Sequence, residues 1–187
     1  MGIVYQQADG RFSAPSYRAL SGTFGTSTLA IADLDGDGRA DLLTHSPGVG
    51  NLWWFRQRPD GTLAAPVSLG GVGEAWKLAV VDVDGDGRRD ILIGAGGYDL
   101  FLGLQLQRAD GSFAAPVLFR GPNAITGANA MVVADFGADG RPDVAMNGPV
   151  LLSNLGGPPP ASSPPLPPAT RRTGDRPART QLPHRQP

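Results

Sequence analysis

Apolar residues along this chain come in short runs, arranged in pairs. Leu29-Ala30-Ile31-Ala32 and Leu42-Leu43-Thr44 form one pair, and Leu78-Ala79-Val80-Val81 and Ile91-Leu92-Ile93 form the next. Short apolar runs bounded by turn residues read as buried strands. The polar stretch inside each pair is therefore a loop joining two strands.

That loop is Asp33-Leu34-Asp35-Gly36-Asp37-Gly38-Arg39-Ala40-Asp41 in the first pair, with carboxylates at its first, third, fifth and ninth positions. Four acids in so tight a turn repel one another unless a cation sits between them. A hard divalent ion such as calcium fits, because it takes six to eight oxygen ligands in a flexible shell. Gly36 and Gly38 let the backbone bend, and the carbonyl of Arg39 is the expected main-chain ligand. The spacing returns in full as Asp82-Val83-Asp84-Gly85-Asp86-Gly87-Arg88-Arg89-Asp90. It returns damaged as Asp135-Phe136-Gly137-Ala138-Asp139-Gly140-Arg141-Pro142-Asp143, where Gly137 takes the place of the third-position acid. Two strong calcium sites and a third that is weak or empty are expected.

An EF-hand starts similarly but needs a bidentate acid at position twelve and helical flanks. Position twelve is Thr44 in the first loop and Ile93 in the second, and the flanks are strand-like.

A second marker keeps step with the first. Asp9-Gly10-Arg11-Phe12-Ser13-Ala14-Pro15, Asp60-Gly61-Thr62-Leu63-Ala64-Ala65-Pro66 and Asp110-Gly111-Ser112-Phe113-Ala114-Ala115-Pro116 recur on a period of about 50 residues. A repeat of that length with four short strands has the size of a propeller blade. In the first full unit the strands fall at 28–33, 41–45, 51–57 and 62–69, with Pro66 suited to an outer edge. In the second they fall at 76–82, 90–93, 100–107 and 112–119. The predicted division is a partial blade at 3–20, blades at 21–70 and 71–120, and a partial blade at 121–155. These are about three blade equivalents, an incomplete ring, since propellers close with four to eight.

Composition alters this picture only at the C-terminal end. The chain has 187 residues, 27 glycines, 18 prolines and a net charge of -1. Residues 157–187 carry five arginines against one acid, Asp175, and are rich in proline, so a disordered tail is expected there. The body shows no basic footprint for nucleic acid. No apolar run is long enough for a membrane span, and no signal peptide is visible. The chain has no cysteine, hence neither disulfides nor thiolate metal sites.

The unit from Ile31 through the acidic loop to Leu43, followed by 51–55 and the Asp60-Gly61 turn, resembles the FG-GAP/VCBS repeat, which builds the β-propeller of integrin α subunits. The resemblance implies an all-β fold of four-stranded antiparallel blades, with a calcium loop between the first two strands of a blade. It makes Asp33, Asp35, Asp37 and Asp41 side-chain ligands with the Arg39 carbonyl, and Asp82, Asp84, Asp86 and Asp90 ligands with the Arg88 carbonyl. In the third unit Asp135, Asp139 and Asp143 match, with Arg141 as carbonyl donor. It also implies an extracellular or secreted setting.

The function expected is a calcium-binding, non-catalytic scaffold for binding or adhesion, with a protein or glycan as ligand. Ligands committed to calcium are unsuited to acid-base work, and no Gly-x-Ser-x-Gly, His-Glu-x-x-His or phosphate loop is present. One alternative is a lectin-like module using Trp53, Trp54 or Trp76 as a sugar platform. Another is a remnant of a larger protein without independent activity. Incomplete blades expose strand edges, so self-association is expected. For His45 the sequence offers no partner.

Overall fold

The computed structural model describes residues 2–17, 27–46, 50–96, 102–119, 130–146 and 150–152. All its regular structure is β, and every paired strand is antiparallel. Two four-stranded sheets form the centre. One holds β3 (Thr28–Ala32), β4 (Asp41–Ser46), β5 (Asn51–Phe55) and β6 (Val67–Gly71) in sequence order. The other holds β7 (Glu74–Val81), β8 (Asp90–Gly96), β9 (Leu102–Gln105) and β10 (Val117–Phe119), again as neighbours in order. Before them lies the two-stranded β1 (Gly2–Ile3) and β2 (Ser16–Tyr17). After them come β11 (Met131–Ala134), β12 (Asp143–Met146) and β13 (Val150–Leu152). This is the blade architecture the repeat period predicts. Among the described residues the sheets are open and do not close into a ring.

The fourth strand of each blade is shorter than expected. The sequence places strands at 62–69 and 112–119, whereas β6 begins at Val67 and β10 at Val117, each directly after a proline. Pro66 and Pro116 carry no N–H, so the ladder cannot run through them. What remains upstream is a single bridge, Gln57 with Leu63 and Gln107 with Phe113, closed over the Asp-Gly turn. β2 follows Pro15 in the same way, with a Gln6–Phe12 bridge before it. The expected tail at 157–187 and the third blade's end lie outside the described residues.

Strand alternation sends one side of each blade toward the preceding blade and the other toward the next. Leu43, Leu52 and Trp54 of the first four-stranded sheet meet Ile91, Ile93 and Ala75 of the second in one buried cluster, joined by Leu34 and Val72. Leu92, Leu102 and Leu104 of the second sheet meet Val144 and Met146 of the third. Truncating a fully buried member such as Leu43 to alanine costs about 2–5 kcal/mol.

Polar side chains stitch the same seam. His45 is completely buried on β4, and its Nε2 donates to the Gly73 carbonyl at 2.7 Å. Its Nδ1 lies 2.8 Å from the oxygen of the Ser27 hydroxyl, whose single proton is shared between that nitrogen and the Ala75 carbonyl 2.9 Å away. His45 therefore has partners in the next blade, which no local sequence pattern could disclose. Gln105 Nε2 donates to the Leu69 carbonyl at 2.9 Å, and Gln107 Nε2 to the Leu34 carbonyl at 2.6 Å. That last bond runs from the second blade into the first acidic loop.

Candidate metal centre

Each acidic loop leaves the first strand of its blade and returns as the second. Gly36 and Gly38 hold φ of 75° and 82°, and Gly85 and Gly87 hold 78° and 85°, the left-handed region in which a side chain is strained. These bends fold the loop back over its own first residue. The Asp33 carboxylate accepts the backbone N–H groups of Gly36 at 2.8 Å, Asp37 at 3.1 Å and Gly38 at 2.8 Å. Asp82 does the same with Gly85, Asp86 and Gly87 at 2.8, 3.1 and 2.8 Å.

The result gathers carboxylates. In each of the trios Asp33, Asp35, Asp37 and Asp82, Asp84, Asp86, one oxygen per residue lies within 4.8 Å of the others. The crowding is felt by Asp35, whose carboxyl is raised above the usual range by burial and then by the negative charges of Asp41 and Asp37. A carboxylate offers about four acceptor positions. Asp33, the most heavily bonded of the first trio, uses three of its own on backbone amides, so each member keeps at least one open. The donor set is all hard oxygen, in keeping with calcium or magnesium rather than a thiophilic metal.

The ninth-position acids occupy a different niche. Asp41 is fully buried and stands outside the trio. Its Oδ2 accepts the Leu34 N–H at 3.2 Å and the Trp54 indole N–H at 2.9 Å, and its Oδ1 accepts the Gln57 N–H at 2.8 Å. Asp90, equally buried, accepts the N–H groups of Val83 and Gln107, both at 2.9 Å. Burial raises its carboxyl; the two amides oppose that, and the nearby charges of Asp84 and Asp86 add to it. These carboxylates anchor the loop to the third strand of the blade.

Arginines border both trios. Arg39 Nη2 pairs with Asp37 and Arg88 Nη2 with Asp86, while their Nε atoms donate to the carbonyls of Gln57 and Gln107, both at 3.0 Å. Arg56 brings its Nε within 3.7 Å of Asp35 Oδ2 and lies over the Trp54 ring, 4.2 Å from its centroid. Nothing in the nine-residue motif marks Arg56, because it sits on the far side of the blade sequence, just past β5.

The third loop keeps part of this frame. Asp135 accepts the N–H groups of Asp139 at 3.1 Å and Gly140 at 2.8 Å, and Arg141 pairs with Asp139 at 2.6 Å. Asp143 Oδ2 accepts the N–H groups of Phe136 and Gly137, both at 3.0 Å. Among the described residues it forms no three-acid group like the other two. It also departs at Ala138, which holds φ of 53° where the intact loops have glycine.

The tryptophans divide. Trp54 is 2% exposed, with Arg56 on its face and Phe113 packed edge-on at 5.9 Å, so its ring offers no open surface to a sugar. Trp76 remains 37% exposed.

Comparison with known families agrees with this architecture. The FG-GAP-like repeat model matches residues 2–44 and 45–93, and the FG-GAP repeat model matches residues 75–112. The comparison with curated proteins gave no match. The two family matches together span residues 2–112, more than half of the chain, and take in both intact acidic loops: the chain belongs to the FG-GAP repeat family.

Proposed function

We propose that this chain is a calcium-binding β-propeller repeat module that serves as an extracellular scaffold for binding or adhesion, without catalytic chemistry. The observation that carries this reading is the recurrence of one carboxylate trio, with the same residue spacing and the same backbone bonds, in two successive blades. Two independent loops that fold to one arrangement of negative charge share one requirement, a positive centre. Calcium would be held by Asp33, Asp35 and Asp37 in the first loop and Asp82, Asp84 and Asp86 in the second. Asp41 and Asp90 would hold each loop in place from beneath.

The ion's role is structural: it offsets the repulsion in a loop that ties the first strand of a blade to the second. The partner surface belongs to the propeller face and its loops, with a protein or a glycan as the class of ligand. FG-GAP repeats are typically extracellular, where millimolar calcium suits modules with dissociation constants of about 0.1–1 mM.

A thermal melt followed by far-UV circular dichroism, in calcium and in excess EDTA, tests the reading. At about 1 mM calcium and a dissociation constant of about 0.1 mM, each site adds about 1.4 kcal/mol. Two sites then raise the midpoint by about 5–10 °C. A cooperative melt indifferent to calcium would remove the metal from this account.

A further inference from the structure

We propose that the two intact loops are unequal cation sites, with Arg56 making the first the weaker. This inference rests on the cation reading above and concerns how the two sites fill. Within their nine residues the loops are close to replicas. The bonds from Gly36, Asp37, Gly38 and Arg39 in the first match those from Gly85, Asp86, Gly87 and Arg88 in the second to within 0.1 Å. The Arg39–Asp37 pair has its counterpart in Arg88–Asp86. These shared features cancel in a comparison.

Arg56 does not cancel. It precedes Gln57, whose bridge to Leu63 corresponds to that of Gln107 with Phe113, so its counterpart in the second blade is Leu106. The first trio therefore has a guanidinium 3.7 Å from Asp35. At the matching place the second trio has a partly buried aliphatic side chain, packed with the core between the second and third blades. Arg89, at the eighth position of the second loop, is exposed and forms no ion pair among the described residues. A divalent ion entering the first loop must draw Asp35 away from Arg56 and then tolerate that positive charge beside it. An ion entering the second loop meets no such competitor. An exposed charge of this kind shifts affinity by about three- to tenfold.

The device carries its own reporter. Arg56 lies over the ring of Trp54, which in turn donates to Asp41 beneath the first loop. Displacement of the guanidinium when the first loop fills alters the surroundings of that indole, and filling of the second loop leaves them unchanged.

The test is equilibrium dialysis with calcium on the full chain, alongside Trp54 fluorescence in a W53F/W76F background. Two unequal steps are expected, with D84N abolishing the tighter, D35N abolishing the weaker, and the Trp54 signal following the weaker. R56L should bring the weaker step to within about threefold of the tighter, while R56K, which keeps the charge, should leave it weak. Two equal steps in the unaltered chain, or a weaker step indifferent to R56L, overturn the inference while leaving the cation reading intact. No calcium bound at all overturns both.

Discussion

The indole of Trp54 donates to Asp41 Oδ2 at 2.9 Å, joining the middle of the third strand to the last residue of the acidic loop inside the first blade. Both residues are buried, at 2% and 0% exposure, and Asp41 accepts two backbone amides besides. In D41A those three donors lose their acceptor within a closed core. The expected loss is about 3–5 kcal/mol. W54F, which removes one donor and leaves the carboxylate two amides, should cost about 1–3 kcal/mol. Urea unfolding in EDTA, where no cation contributes, measures both. A D41A variant as stable as the parent would show that Asp41 is only a ligand and not a structural hub.

His45 makes stability depend on mildly acidic pH. Burial holds its imidazole below the ordinary value of 6.5, opposed in part by its bond to the Gly73 carbonyl and the charge of Glu74. The unfolded chain therefore takes up a proton at His45 before the folded chain does. Stability is full above about pH 6.5 and falls as pH drops toward the depressed folded value, below which this contribution is constant. H45Q should flatten the difference between unfolding measured at pH 7.5 and at pH 5.5. The other histidine, His184, lies outside the described residues and is common to both proteins, so the difference isolates His45.

Ala138 holds a φ of 53°, whereas Gly36 and Gly85 occupy the equivalent turn in the intact loops. An L-residue there is strained by about 1–2 kcal/mol, and the greater freedom of glycine in the unfolded chain takes back part of that. A138G should accordingly stabilise the chain by about 0.5–1 kcal/mol in denaturant unfolding. Adding G137D restores the missing third-position acid. A β-carbon at Gly137 stands 3.7 Å from Asp143 Oδ2, ordinary contact distance. The double variant should bind one further calcium in equilibrium dialysis, and unchanged stoichiometry would contradict this.

Leu29 and Ile31 are 53% and 67% exposed on the first strand of the first four-stranded sheet. They hold the positions that Leu78 and Val80 hold in the second, and those two pack into the cluster between blades. At the other end Val132 is 58% exposed. Each surface is of the kind that meets a neighbouring blade inside this chain, so the purified chain should self-associate. Light scattering is expected to give more than the monomer mass, falling toward it in L29S/I31S; a uniformly monomeric parent chain contradicts the prediction.

The parts of this molecule legible in its sequence are those fixed by neighbours along the chain. Alternating acids in a glycine-bent turn specify the trios, since the backbone bonds to Asp33 that gather the first of them span five residues or fewer. Paired apolar runs specify the first two strands of each blade. The fourth strand starts later than its apolar pattern suggests, because Pro66 and Pro116 interrupt the ladder and leave only one bridge beside each Asp-Gly turn. Other features depend on separation. Spacing makes Asp41 one more ligand, and it does not disclose the bonds that Asp41 accepts from Trp54 and Gln57, 13 and 16 residues away. Arg56 reaches Asp35 and His45 reaches Gly73 only once the blades have formed. A motif records local geometry, and these contacts belong to the stack.

The bond from Gln107 to the Leu34 carbonyl spans 73 residues of sequence. Neighbouring blades are thus fastened at the base of an acidic loop as well as through their apolar faces. A pull that separates the blades must break this fastening, and the strain falls on the loop that an ion would stiffen. If the loop holds a cation, the resistance of this seam to being pulled apart should rise when the ion is bound.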